Sequence, residues 1–428
     1  MKRNRRTSAV AALTLAALLA GTGVGFAATG TPPAAPGAAP SATRAFGTAP
    51  ATATATAPTR TFQGELPAPT GPYAAGEEVV HLTDTSRPDP WVPSSGPRQL
   101  AVTMVYPAVP GTGTPAPYMT LAEAAGITQR RHLPPSSGVT PQTLSGVTTH
   151  AFDGARPRNG KYPLVVLSPG YEDPRMVLTA LATELASHGY VVALLGHTYE
   201  DSGETLADGQ TPPCAICDAP PWLDFRAVAT SRAQDASFVI DQLTHGNSAW
   251  RLAHLVDKHQ IGMAGHSLGG AAAAATMVAD PRVRAGVNMD GSFQVVPLPG
   301  QINRPFLMLG TADNHPGGGH DTSWDQAWAA LGGYRKWLTV ARADHTSFTD
   351  LDLLQEEAGF PTSSLSPERG VVITREYVTG FFDQALKGVH RPLLDGPSPD
   401  DPEVLFQHQD GAASTPPEGH AASSGLPS

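Results

Sequence analysis

The pentapeptide Gly265-His266-Ser267-Leu268-Gly269 carries the strongest chemical signal in the sequence. It follows the apolar run 261–264 and precedes the helix-forming run 270–277. A serine between a strand and a helix occupies a sharp, strained turn that aims its hydroxyl outward, and glycines two residues to either side remove side chains that would collide. The helix N-terminus adds main-chain donors and a favourable dipole beside the hydroxyl. A glycine-rich turn whose serine merely caps a helix accounts for less of this context. Because a serine hydroxyl is a weak nucleophile near neutral pH, the chemistry also requires a histidine base and an orienting carboxylate, in chain order Ser, acid, His.

Six histidines follow Ser267: His315, His320, His345, His390, His408 and His420. His345 comes just after the expected last core strand, 337–340, where a loop at the carboxyl edge of a sheet can reach Ser267. His408 and His420 fall in or near the tail, His390 follows a terminal helix, and His315 and His320 bracket a glycine-rich loop and read as solvent-exposed. His266 reads as facing away from the base position. Two carboxylates fit by position. Asp290 ends the strand 285–289, and Asp313 follows the strand 305–309. In the general arrangement of serine hydrolases the acid follows the second strand beyond the nucleophile's own, which selects Asp313; either residue could equally be a loop aspartate capping a turn. One oxyanion donor is the N–H of Leu268, the residue after the nucleophile. The second is expected in the loop after 164–167, where Pro169 has no N–H, Gly170 permits close approach and Tyr171 follows. Hydrolysis by this set requires no metal and no cofactor.

Those residues need a scaffold that brings strand ends together. Runs 100–106, 164–167, 190–195, 260–264, 285–289, 305–309 and 337–340 read as strands, several of them apolar on both faces. Segments 175–188, 225–243, 268–279 and 323–332 are long enough to be crossover helices, so the class is α/β with a mostly parallel central sheet and helices on both faces. The pattern Phe225, Val228, Phe238, Val239 and Leu243 reads as the buried face of a helix. Residues 107–160, rich in Gly, Pro and Thr, read either as a cover over the site or as a surface excursion.

The ordered series of motifs resembles the plasma-type (isoform II) platelet-activating factor acetylhydrolases and their bacterial relatives. It runs from Arg87-Pro88-Asp89-Pro90-Trp91 through Ser168-Pro169-Gly170, the segment 185–193, Gly196-His197, Gly265-His266-Ser267-Leu268-Gly269-Gly270 and Met289-Asp290-Gly291 to His345-Thr346-Ser347-Phe348. The resemblance implies the α/β-hydrolase fold, an ester hydrolase without added cofactor, short or oxidised acyl phospholipids as substrates, Asp290 as the acid, and Tyr171 as the second oxyanion donor. Gly310-Thr311-Ala312-Asp313 also looks like the acid position of lipases and cutinase-like enzymes. That keeps Asp313 open, and with it a lipase or polyester hydrolase; a non-catalytic binding module is the contrasting class.

The ends of the chain bear on compartment and partners. Lys2, Arg3, Arg5 and Arg6 precede an apolar stretch 9–20 and small residues near 25–28, the pattern of a cleaved export signal over residues 1–27, by the general or the twin-arginine route. An Ala/Thr/Pro-rich linker is expected over 28–60, the catalytic domain over 61–408 and a disordered tail over 409–428. The full chain has a net charge of −10, and removing the leader leaves 24 basic against 38 acidic residues. That balance disfavours nucleic acid or an anionic membrane surface as partner; the serine chemistry and the resemblance imply a small-molecule or lipid ester. Cys214 and Cys217 are expected to form a local disulfide in an exported protein rather than a redox or metal centre. The segment 315–321 has metal-ligand residue types, but its glycines would fix no ligand geometry.

Overall fold

A computed structural model describes residues 62–246 and 248–408. The export signal, the linker and the tail expected at 1–27, 28–60 and 409–428 lie outside these residues. In chain order the elements are β1 (Ala74–Pro88), β2 (Pro97–Ala108), β3 (Thr114–Pro115), α1 (Leu121–Arg131), α2 (Pro141–Ser145), β4 (Ala151–Asp153), β5 (Tyr162–Ser168) and α3 (Thr179–Ser187). There follow β6 (Val191–His197), α4 (Phe225–Thr244), β7 (Val256–His266), α5 (Leu268–Ala279), β8 (Val283–Met289), β9 (Phe306–Thr311), α6 (Thr322–Ala330), β10 (Arg335–Val340), α7 (Leu351–Ala358), α8 (Pro367–Lys387) and β11 (Val404–Phe406).

The strands form one sheet in the order β11-β10-β9-β8-β7-β5-β6-β2-β1-β4-β3. Its centre, β10 to β6, is parallel. Antiparallel neighbours flank it, β2 on β6, β1 on β2 and β11 on β10. Alternate residues of the central strands feed two cores. Leu164 and Val166 face one core with Val239, Ile240 and Leu243 of α4 and Trp324 of α6. Val165 and Leu167 face the other with Leu181 and Leu185 of α3 and Phe381 and Phe382 of α8. Helices on both faces explain why these strands are apolar on both sides.

The chain passes from β5 outward to β6 and then returns to lay β7 on the other side of β5. Such a reversal of strand order opens a crevice at the carboxyl ends of the two strands. The loop 169–171 leaves one of them and Ser267 leaves the other. Strand β1 escaped the sequence reading because its exposed face carries Val79, His81 and Thr83 and only part of it is buried. The segment 107–160 carries regular structure of its own. It holds β3, α1, α2 and β4, with Thr120 and Glu123 capping α1 reciprocally. No helix among the described residues is long and apolar enough to cross a membrane.

Candidate active site

Ser267 sits between β7 and α5 at φ 54°, ψ −120°, a region that costs a residue with a Cβ about 1–3 kcal/mol. The two flanking glycines allow the turn, since a Cβ on Gly265 would strike the backbone of Gly269 and one on Gly269 would strike the carbonyl of Ser168. The Ser267 N–H donates to the Met289 carbonyl at 2.8 Å, tying the turn to the end of β8. Its carbonyl accepts from Gly270 N–H at 2.9 Å and Ala271 N–H at 3.2 Å. Leu268 opens the helix, where no preceding turn supplies an acceptor for its N–H.

His345 begins a short 3₁₀ turn, His345–Phe348, capped by Asp344, whose carboxylate accepts from Thr346 N–H at 3.0 Å. The imidazole Nδ1 lies 2.6 Å from Asp290 Oδ2. With Nδ1–H donating to the carboxylate, Nε2 is left as the basic nitrogen. Asp290 is itself at φ 55°, in a turn that Asn288 holds by accepting from Gly291 N–H at 2.9 Å. The other oxygen of Asp290 accepts from Thr311 N–H at 2.6 Å. Burial penalises both charges, yet the hydrogen bond and charge of each partner outweigh it: the Asp290 pKa is held below the usual carboxylate range and that of His345 above the usual imidazole range.

The structure therefore brings Asp290, and not Asp313, to the imidazole; Asp313 is exposed on the loop after β9. Two histidines differ from their sequence reading. His266 does not face away. Its Nε2–H donates to the His345 carbonyl at 2.7 Å and its ring packs on the His345 ring with centroids 4.5 Å apart. Burial and the neighbouring His345 charge push its pKa down to about 3, so it stays neutral. His315 is buried rather than exposed, stacked on Trp324 at 4.2 Å, with Nε2 3.4 Å from Asp290 Oδ1. His320, His390 and His408 are exposed, and His420 lies outside the described residues.

The loop after β5 has Pro169, Gly170 and Tyr171 in sequence. Arg232 of α4 donates to the carbonyls of Pro169 at 2.5 Å and Gly170 at 3.1 Å. The Tyr171 ring is buried edge-on against Phe225 at 5.1 Å, and its hydroxyl donates to the Ile216 carbonyl and accepts from Ala219 N–H at 3.0 Å. Cys214 and Cys217 form the expected disulfide around that point.

A second Ser–His–Asp set escaped the sequence reading as a set. Ser168 Oγ, at the end of β5, lies 2.9 Å from His197 Nε2, and His197 Nδ1 lies 2.7 Å from Asp235 Oδ2. All three are buried. Arg98 donates to both Asp235 oxygens, at 3.1 and 2.8 Å, and to Asp89 at 2.9 Å. Arg232 donates to Glu200 at 2.7 Å. Burial and the Arg232 charge lower the pKa of His197, while Arg98 holds Asp235 ionised against its burial. Arg87, Asp89 and Trp91, singled out in the sequence, feed this network through Asp235, Arg98 and Glu200. His197, Glu200 and Asp235 lie close enough to ligate one cation, but three guanidinium groups, of Arg87, Arg98 and Arg232, already occupy the carboxylates, so the donor set does not suit a metal.

Comparison with known proteins adds independent findings. A family model described as platelet-activating factor acetylhydrolase, isoform II, matches residues 136–240 and 234–358, together over half of the chain. A protein of Arthroderma benhamiae named as a probable 1-alkyl-2-acetylglycerophosphocholine esterase is 27% identical over 383 residues, 80% of this chain and 93% of that protein. The platelet-activating factor acetylhydrolase of Bos taurus is 28% identical over 175 residues, 34% of this chain and 39% of that protein. Among solved structures, a ferulic acid esterase from Streptomyces cinnamoneus is similar with a TM-score of 0.71 and 38% identity, covering 81% of this chain and 100% of that one.

Proposed function

Because the chain belongs to the platelet-activating factor acetylhydrolase, isoform II, family, we propose that the elbow serine, Ser267, is its nucleophile, His345 its general base and Asp290 the orienting acid. The protein is an α/β-hydrolase and a serine carboxylic ester hydrolase working through a Ser–Asp–His triad. The observation that supports this assignment best is the 2.6 Å contact of His345 Nδ1 with Asp290 beside the strained turn at Ser267.

The chemistry follows from the proton positions. Asp290 accepts from Nδ1–H and so fixes the tautomer in which Nε2 can take the Ser267 proton as Oγ attacks the ester carbonyl. The carbonyl oxygen gathers negative charge and is met by the N–H groups of Leu268 and Tyr171, which are aimed before the reaction begins and therefore require little reorganisation. The imidazolium, held by the Asp290 charge, protonates the departing alcohol. Nε2 then takes a proton from water, the hydroxide attacks the acyl-Ser267 carbonyl, and the proton returns to Oγ as the free acid leaves. His266 fixes the main chain of His345 throughout, and its neutrality avoids a second positive charge beside the imidazolium.

The substrate reading is an ester with a short or compact acyl group, including short-acyl phospholipids, as the names of the curated relatives suggest. The ferulic acid esterase likeness favours a second reading, aromatic acyl esters, and partly buried Trp91 and Phe225 pack around Tyr171 and Leu268. Export of the chain is proposed from its leader pattern, and the Cys214–Cys217 disulfide fits an oxidising compartment. The residues 61–408 are proposed as the catalytic domain.

Hydrolysis rates on p-nitrophenyl esters from acetate to palmitate, a short-acyl phosphatidylcholine and methyl ferulate test these readings together. Short acyl or aromatic preference supports one or the other; a maximum at palmitate contradicts both and favours a lipase. Full activity in Ser267→Ala would move the nucleophile elsewhere.

A further inference from the structure

The loop that carries the second oxyanion donor is irregular and includes Glu172 at φ 64°, so its position must come from side chains around it. From beneath, Arg232 holds the carbonyls of Pro169 and Gly170. From outside, both hydrogen-bond partners of the Tyr171 hydroxyl belong to one short turn: Ile216 lies between Cys214 and Cys217, and Ala219 lies two residues beyond. Asp218 N–H of the same turn donates to Glu172 Oε1 at 2.9 Å, and Arg130 of α1 pairs with both Glu172 and Asp218.

The turn is itself strained. Asp218 and Ala219 stand at φ 68° and 40° in succession, conformations that persist only where the surroundings over-determine them. Ala215 N–H donates to the Tyr199 carbonyl at 2.8 Å, Cys217 N–H meets Cys214 Sγ at 2.9 Å, and the disulfide closes the turn. A disulfide between residues three apart in sequence removes little freedom from the unfolded chain, because that contribution grows with the length of the closed loop. Its effect therefore falls on the local geometry of the folded state, where the turn it closes anchors the Tyr171 hydroxyl.

We propose that the Cys214–Cys217 turn is a positioning element of catalysis: by holding the Tyr171 hydroxyl it sets where the Tyr171 main-chain N–H points. The inference rests on the reading of that N–H as an oxyanion donor. Neither cysteine is a catalytic residue, and no electron transfer is involved. The turn acts on the transition state through geometry, so loosening it lowers kcat and leaves KM, which reports the bound ester, nearly unchanged.

Four variants of the full chain test this: Tyr171→Phe, Cys214→Ala/Cys217→Ala, their combination, and Tyr171→Pro, each measured for kcat and KM on p-nitrophenyl butyrate and for its thermal midpoint. Tyr171→Phe and the double cysteine variant are each expected to lose about tenfold in kcat, the scale of a sub-ångström misplacement, with KM within about twofold. The combination is expected to lose no more than either alone, since both act along one path. If the cysteine variant keeps its kcat while its midpoint falls, the disulfide is only a brace and the proposal fails. Additive losses also overturn it. Tyr171→Pro, which deletes the N–H, is expected to lose about 10²–10³; a loss no greater than that of Tyr171→Phe would remove the oxyanion reading itself, a result separate from the fate of the turn.

Discussion

Two sets of serine, histidine and aspartate stand at the carboxyl ends of neighbouring strands, and they share the same histidine–aspartate contact while differing in almost everything else. In both, an aspartate 2.6–2.7 Å from Nδ1 leaves Nε2 as the basic nitrogen. Ser168 ends β5 in ordinary strand pairing with Gly265 of β7, whereas Ser267 stands at positive φ at the mouth of α5. The pKa of His345 is raised and its side chain is 28% exposed; that of His197 is lowered and its side chain is 1% exposed. Asp290 serves His345 and receives only a main-chain N–H and a distant His315 on its other oxygen, whereas both oxygens of Asp235 are claimed by Arg98. A triad is thus defined by access, backbone strain and free charge as much as by three residue types. The inner set supports the outer one: it is linked through Arg98 and Glu200 to Arg232, whose guanidinium holds the loop after β5.

The largest separation is expected from the serines. Ser267→Ala is expected to lose about 10⁵–10⁶ in kcat, while Ser168→Ala stays within about tenfold and instead loses about 1–3 kcal/mol of stability from the orphaned His197 nitrogen; initial rates and denaturant titrations on both variants check this. Equal rates in the two would erase the distinction. Next come the acids. Asp290→Asn is expected to lose about 10⁴ in kcat, Asp313→Asn to lose nothing measurable.

The pH dependence sharpens the same point. Because the base must be neutral, kcat/KM rises with pH through the His345 pKa, and the Asp290 charge places that rise above about 6.5. In Asp290→Asn, burial is opposed only by the charges of Asp173 and Asp344, and the residual activity rises at lower pH. A limb that stays put would assign it to another group. For the inner set the readout is stability: Arg98→Met removes the guanidinium that Asp235, Asp89 and Glu200 share and is expected to cost about 3–5 kcal/mol, measured by urea unfolding. The smallest effect is at His315, whose 3.4 Å approach to Asp290 is long for a hydrogen bond; His315→Gln is expected to lose about fivefold in kcat, equivalent to about 1 kcal/mol.

What was legible in the sequence was local. The elbow, its flanking glycines and the apolar strands around them are set by neighbouring residues, and His345 follows from its place after β10. The choice between Asp290 and Asp313 was not local, because it depends on which strand end β10 places opposite the imidazole; resemblance decided it where spacing could not. The inner network was hidden for the same reason. Ser168, His197 and Asp235 are spread over three elements, and only the pairing of β5 with β6 and the packing of α4 bring them together. His315 looked exposed among glycines, but stacking on Trp324 buries it. Tyr171 is read from the sequence as a main-chain donor, while the reach of its hydroxyl to the disulfide turn needed coordinates.

The most direct test is to react the native enzyme with a fluorophosphonate and locate the adduct by peptide mass spectrometry. The account predicts a single phosphonylated serine at Ser267, with formation of the adduct tracking loss of esterase activity. An adduct on Ser168, or inactivation with Ser267 unmodified, would contradict it.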